Sequence, residues 1–201
     1  MRDQDESLSD TPSERLFILL AVFILLWYTN LMHYDYKTLY EKNAAFFHQR
    51  PKAKKALICL NIALPALYFA AYAALLIYAA LTDFPAREFI GVLFVPAVCL
   101  VSVILLRLLV DRPRPYSEQG AHITPILQNK NKDKESFPSR HLASAVVIAI
   151  TILPYLAWAG ICLLVFSLAL GYIRFALGLH YPSDLFGGAL LGAICSLLYL
   201  L

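Results

Sequence analysis

The length of its uncharged apolar runs constrains this chain more than any other feature. Residues 142–173 contain no charged side chain, and residues 16–32, 56–81, 89–106 and 185–201 are almost wholly apolar. An α-helix rises 1.5 Å per residue, so about 17 residues cover roughly 26 Å, close to the hydrocarbon thickness of a bilayer. Composition points the same way. Of the 201 residues 60% are hydrophobic and 15% charged, with a mean hydropathy of +0.63, whereas globular domains average about 25% charged. An ordinary soluble fold and a disordered chain are both excluded. A nucleic-acid-coating protein is excluded too, because the net charge is +3 and most of the 17 basic residues gather in two loops, not along one groove.

The placement of charge gives the architecture. Residues 1–15 are acidic and Ser-rich and read as a short disordered tail. They lack the basic start and small-residue cleavage site of a secretory signal. Residues 16–201 read as one all-α membrane domain of six spanning helices. Residues 33–55 form a polar loop or interfacial helix whose Tyr34, Tyr36, Tyr40, Phe46 and Phe47 suit the headgroup level. Residues 82–88 form a tight turn, and residues 111–140 the long hydrophilic loop. The run 142–173 is too long for one perpendicular span, so Pro154 and Gly160 are expected to divide it, with the joint near residues 157–160. This count puts the first, third and fifth loops on one membrane face. Cys59, Cys99, Cys162 and Cys195 lie in apolar runs without a C-x-x-C pair, and read as buried reduced thiols.

Ionisable residues beside membrane spans are costly and call for a reason beyond snorkelling to the interface. Three clusters stand out, all on the same expected face. In the first, Pro113 and Pro115 end a helix just beyond Arg107, which allows Arg107 and Arg114 to enter one pocket; a basic membrane flank has much the same composition. The second, Ser136 to His141, directly precedes an uncharged helix, where free N–H groups favour an anion. Ser139 as a simple N-cap is the competing account. In the third, Pro182 favours a helix start, placing Asp184 in the first turn with His180 just outside it. Asp184 is then expected to accept a hydrogen bond from one ring nitrogen of His180, leaving the other as nucleophile or base. Metal ligation by His180 and Asp184 is the alternative, with His141 as the candidate third ligand. Fixed positive charge around a His–Asp pair suits transfer of an anionic phosphoryl group. A Ser–His–Asp esterase fits less well, since no G-x-S-x-G elbow is present.

At these residues the sequence resembles the type 2 phosphatidic acid phosphatase superfamily, the lipid phosphate phosphatases. That family carries K-x6-R-P, P-S-G-H and S-R-x5-H-x3-D motifs on six membrane helices. The corresponding segments here are Arg107-x6-Arg114-Pro115, Pro138-Ser139-Arg140-His141 and Ile173-Arg174-x5-His180-x3-Asp184. Arg107 stands for the family Lys, Arg140 for its Gly and Ile173 for its leading Ser. The resemblance implies that His180 is the nucleophile forming a phosphohistidine, that Asp184 orients and charges it, and that His141 protonates the leaving lipid oxygen. It implies phosphate binding by Arg107, Arg114, Ser139, Arg140 and Arg174, and no metal or other cofactor. Arg140 keeps the backbone N–H of the family Gly but adds a side chain to the pocket.

A site at the ends of membrane helices takes a headgroup phosphate while the tail stays in lipid. The expected partners are therefore the bilayer and a lipid substrate, with no nucleic acid. Polyprenyl pyrophosphate, phosphatidic acid and phosphatidylglycerophosphate all fit. A lipid phosphotransferase using the same phosphohistidine is the nearest alternative. A transporter or inactive scaffold is less favoured, because the spans hold almost no mid-membrane polar residues and a scaffold has no need of His141, His180 and Asp184. The resemblance puts the site of a bacterial-type plasma-membrane protein on the external face. The positive-inside rule opposes this, since all Lys and Arg except Arg2, Arg15 and Arg87 fall on the motif side. Lys130, Lys132 and Lys134 read as a solvated charge run, and Gly188-x3-Gly192 as a small-residue face for internal packing.

Overall fold

The computed structural model describes residues 36–127 and 134–200. The expected tail 1–15, the first expected span 16–32, and Lys130 and Lys132 lie outside the described residues. Within them the chain is all helical: α1 (Tyr36–His48), α2 (Pro51–Leu81), α3 (Ala86–Leu109), α4 (Arg140–Ile152), α5 (Ala157–Ala176) and α6 (Pro182–Ser196), followed by a 3₁₀ turn at Leu197–Leu200. Four of the described segments, α2, α3, α5 and Pro182–Tyr199, are long and apolar enough to cross a membrane. Their outer faces carry bare apolar side chains, among them Ile62, Phe69, Phe94 and Leu168. Continuous exposure of this kind requires lipid as solvent. The protein is a multi-pass membrane protein.

The shortest apolar helix, α4, is the central one. Its 13 residues rise only about 20 Å, and it packs against α3, α5 and α6. A helix apolar all round belongs in an interior, and α4 buries residues on every side, including Leu142, Ala145, Val147, Ile148 and Ile152. Its contact with α6 depends on missing side chains. A Cβ on Gly188 would stand 2.4 Å from the Ser139 carbonyl oxygen, and one on Gly192 would stand 2.6 Å from that of Ala143. The Gly188-x3-Gly192 face therefore packs internally, as its spacing suggested.

Several boundaries differ from expectation. The break in the 142–173 run comes at residues 153–156, around Pro154, and not at 157–160. Gly160 lies inside α5, where a Cβ would meet the Leu153 Cα at 2.7 Å. Its role is close approach, while proline ends the helix. Helix α2 begins at Pro51, so Lys52, Lys54 and Lys55 belong to its first turns and not to the preceding loop. Helix α3 continues past Arg107 to Leu109. Two cysteines also depart from the reading: Cys59 and Cys162 are exposed on the outer surface, while Cys99 and Cys195 are buried, and all four are free thiols.

Residues 36–48 of the expected loop or interfacial segment form α1, and its Tyr36, Tyr40 and Phe47 are buried against the protein instead of standing at headgroup level. Tyr36 meets Tyr181 at 4.8 Å between ring centroids and Phe175 at 5.9 Å. Tyr40 donates to the Thr124 carbonyl at 3.2 Å and accepts from the Ile126 N–H at 3.0 Å. It thereby ties α1 to the long loop. Gly178, at φ +77°, lets the α5–α6 connection pass beside Tyr40, where a Cβ would meet the ring at 3.0 Å.

Candidate active site

The three sequence clusters converge at the ends of α3, α4, α5 and α6. Pro182 opens α6 and Asp184 stands in its first turn, with a carboxylate oxygen accepting the Tyr181 N–H at 3.0 Å. This half of a capping box fixes the carboxylate. Asp184 is fully buried, and His180 is 2% exposed. The Ser139 N–H donates to the Asp184 carbonyl at 2.9 Å, which joins the start of α4 to the start of α6.

His180 Nδ1 lies 3.0 Å from the Ser136 carbonyl oxygen and 3.7 Å from Asp184 Oδ2. A carbonyl only accepts, so the neutral ring carries its proton on Nδ1 and leaves the Nε2 lone pair free. The expected direct hydrogen bond to Asp184 is thus replaced by one to the backbone, and the carboxylate acts on the ring as a nearby charge. Burial, reinforced by Arg114 and Arg174, pulls the His180 pKa down to about 4 against the opposing effect of Asp184. The ring is neutral at physiological pH.

Around these two residues the structure buries Arg107, Arg112, Arg114 and Arg174, each 6–7% exposed. Arg107 donates through Nε and Nη2 to the Pro138 carbonyl at 3.1 and 2.8 Å, and its Nη1 stands 3.9 Å from the half-exposed Glu135. Arg114 donates to the Lys134 and Leu179 carbonyls at 3.2 and 3.4 Å. Arg174 Nε and Ser139 Oγ are buried with no hydrogen-bond partner among the described residues. His141, at the start of α4, is exposed, with Arg174, His180, Arg140 and Arg107 within electrostatic range. Every residue expected at the site is therefore in this region. Among the described residues, no three His, Cys, Asp or Glu side chains are grouped to hold a metal ion.

Two residues of the site were passed over in the sequence. Arg112 Nη1 donates to Asp184 Oδ1 at 2.6 Å and to Ser183 Oγ at 2.7 Å. Ser136 Oγ donates to Asp184 Oδ2 at 2.5 Å, while its carbonyl holds His180. Both sit inside the quoted clusters, but linear spacing gives no sign of which arginine or serine turns toward the carboxylate.

Buried cations without matched carboxylates are unfavourable unless an anion completes them. Here Asp184 is already bonded to Arg112, Ser136 and Tyr181. Arg107, Arg114 and Arg174, together with the Ser139 hydroxyl, concentrate buried positive charge and a hydrogen-bond donor beside a neutral imidazole, a composition suited to an anion. A cavity of about 80 Å³, lined by Pro65, Tyr68, Phe69, Arg140, His141 and Leu170 among others, leads from this end between α2, α4 and α5.

Known proteins are similar to this chain in sequence and in fold. Over 91 residues the chain is 34% identical to the lipid A 4'-phosphatase of Bacteroides thetaiotaomicron, covering 43% of this chain and 40% of that protein. Over 100 residues it is 34% identical to the undecaprenyl-diphosphatase BcrC of Bacillus subtilis, covering 50% of each. The matched region thus spans half or less of the length of these relatives. The fold is similar to that of Aquifex aeolicus LpxE, with a TM-score of 0.52 and 23% identity over 73% of this chain and 93% of that one. It is also similar to a PAP2-type phosphatidylglycerolphosphate phosphatase from Bacillus subtilis, with a TM-score of 0.60 and 20% identity over 90% and 92% of the two chains. The PAP2 superfamily profile matches residues 87–201, a segment that holds all three motifs. With more than half of its length matched, the chain belongs to the PAP2 superfamily.

Proposed function

We propose that this protein is a membrane lipid phosphatase that removes phosphate from a lipid phosphate or diphosphate through a phosphohistidine on His180. The observation that carries this reading is the concentration of buried arginines around His180. Arg107, Arg114 and Arg174 are buried beside a neutral histidine whose Nδ1 is held by a carbonyl. An acyl ester would not require this concentration of cations.

In the first half-reaction, His180 Nε2 attacks phosphorus as the bond to the leaving oxygen breaks, and His141 gives that oxygen its proton. Arg174, Arg114, Arg107 and Ser139 Oγ hold the equatorial oxygens, where charge spreads in the transition state. In the second, His141 takes a proton from water, the water oxygen attacks phosphorus, and the P–N bond breaks to return neutral His180 and phosphate. Asp184 stabilises the cationic ring of the phosphohistidine. No step needs a metal.

Both matched relatives bear the names of enzymes acting on phosphorylated lipids, which supports the same substrate class here. The apolar cavity beside His141 supports a substrate whose tail lies among α2, α4 and α5. The family resemblance supports an external active site in a bacterial-type plasma membrane. Phosphate release by the purified protein from a panel of lipid phosphates and diphosphates tests the reading. Release from at least one, unaffected by EDTA, is the expected result. Inertness toward the whole panel refutes the reading, and inhibition by EDTA reversed by a divalent ion replaces it with a metal mechanism.

A further inference from the structure

We propose that Arg112 is a positioning residue that acts through Asp184, holding the carboxylate as a fixed charge behind His180. The inference rests on His180 as nucleophile, and goes beyond that reading by assigning the device that keeps Asp184 ionised and in place.

Arg112 lies within the first motif and bonds to Ser136, at the start of the second cluster, and to Ser183 and Asp184 of the third motif. Its carbonyl accepts the Ser136 N–H at 2.9 Å, and its Nη1 reaches Asp184 Oδ1 and Ser183 Oγ. Its guanidinium lies over the Tyr181 ring, 4.3 Å from the centroid. The planar group is therefore clamped between a ring face and a carboxylate, a geometry that Lys does not reproduce.

Asp184 is 0% exposed, and a buried carboxylate stays charged only when a cation and hydrogen bonds compensate it. Arg112 and Ser136 bind its two oxygens from opposite partners, and Tyr181 N–H adds a third bond. His180 remains at 3.7 Å. Arg107 and Tyr36 also lie within electrostatic range of the carboxylate, and Arg114 and Arg174 face His180. Of these cations, Arg112 is the one in direct contact with Asp184. Without it, the carboxylate either loses its charge or swings toward the ring, and in both cases the histidine is no longer backed as it is here.

A double-mutant cycle with radiolabelled lipid phosphate tests this, because the label keeps slow variants measurable. R112Q is expected to lower kcat about 100-fold with KM within about twofold, and R112K to recover to about tenfold below wild type. R112Q/D184N should fall no more than about twofold below D184N alone, since the second change removes a partner already lost. Multiplying losses in the double variant, or a raised KM with unchanged kcat, overturns the proposal; the latter would make Arg112 a substrate contact. If R112Q does not accumulate folded, R112K and R112K/D184N complete the same cycle. Failure of the underlying reading is separate, showing as wild-type inertness or as full activity in His180→Ala.

Discussion

At the scale of single residues, the two histidines differ in setting, and their variants should differ in kind. His180 is enclosed and held at Nδ1, whereas His141 is exposed at the cavity beside it. His180→Ala removes the proposed nucleophile and should abolish release from every substrate. His141→Ala removes a proton donor, worth about 10²–10⁴-fold, and should be largely rescued by an aryl phosphate whose leaving group needs no proton. Equal defects on alkyl and aryl substrates would contradict the assignment of His141 as acid. The pH dependence follows from burial. With the His180 pKa held to about 4 in the fold and about 6.5 in an unfolded chain, the neutral form is favoured by folding. This group's contribution to stability is complete above about pH 6.5 and declines as pH falls toward 4, because the unfolded chain takes up the proton first. The acid limb of kcat/KM, corrected for ionisation of the substrate, should lie near 4 and not near 6.5; a limb near 6.5 would mean that the ring is solvated. Much of this site was legible in the sequence, since charge beside apolar helices marks its own position. The roles of Arg112 and Ser136 were not, because they depend on side-chain direction within a proline-broken loop.

At the scale of elements, the site is held by the contact between α4 and α6. The Ser139 N–H bonds to the Asp184 carbonyl, and the Ser139 carbonyl lies over Gly188. A side chain at 188 therefore displaces the residue that starts α4 and bears the unpartnered hydroxyl. Gly188→Val should lower thermal stability in detergent by about 1–3 kcal/mol, as overpacking does, and should reduce phosphate release along with it. A variant with wild-type melting and rate would refute this account of the helix contact. Helix existence could be read from uncharged run length, because lipid imposes that pattern directly. Helix ends could not. Lys52, Lys54 and Lys55 resemble loop residues in composition but lie in α2, since Pro51 is a favourable first helical residue. Gly160 resembles a breaker but packs against Leu153, and which of Pro154 and Gly160 ends a helix depends on tertiary contact.

At the scale of the whole molecule, the motif-bearing ends of α3, α5 and α6 share one membrane face, and the turns at residues 82–85 and 153–156 share the other. The charge count across these faces conflicts with the proposed external site, but its members are not equivalent. Arg107, Arg112, Arg114 and Arg174 are buried among protein groups, Arg112 paired with Asp184 and the others assigned to the proposed anion site. They carry little topological information, because the positive-inside bias acts on charges in short, solvated loops. The remaining conflict comes mainly from the lysines of α1, the start of α2 and the 111–140 loop, a basic composition that would favour anionic headgroups on either side. The arrangement is decided by labelling intact cells with a membrane-impermeant thiol reagent. In a background with all four native cysteines replaced, Glu118→Cys in the long loop should react, and Asp83→Cys in the opposite turn should react only after the cells are opened. Both positions are exposed, so a silent site cannot be attributed to burial. The reverse pattern would place the phosphatase site in the cytoplasm, where the lysine-rich face satisfies the positive-inside rule and the substrate must be a lipid phosphate of the inner leaflet.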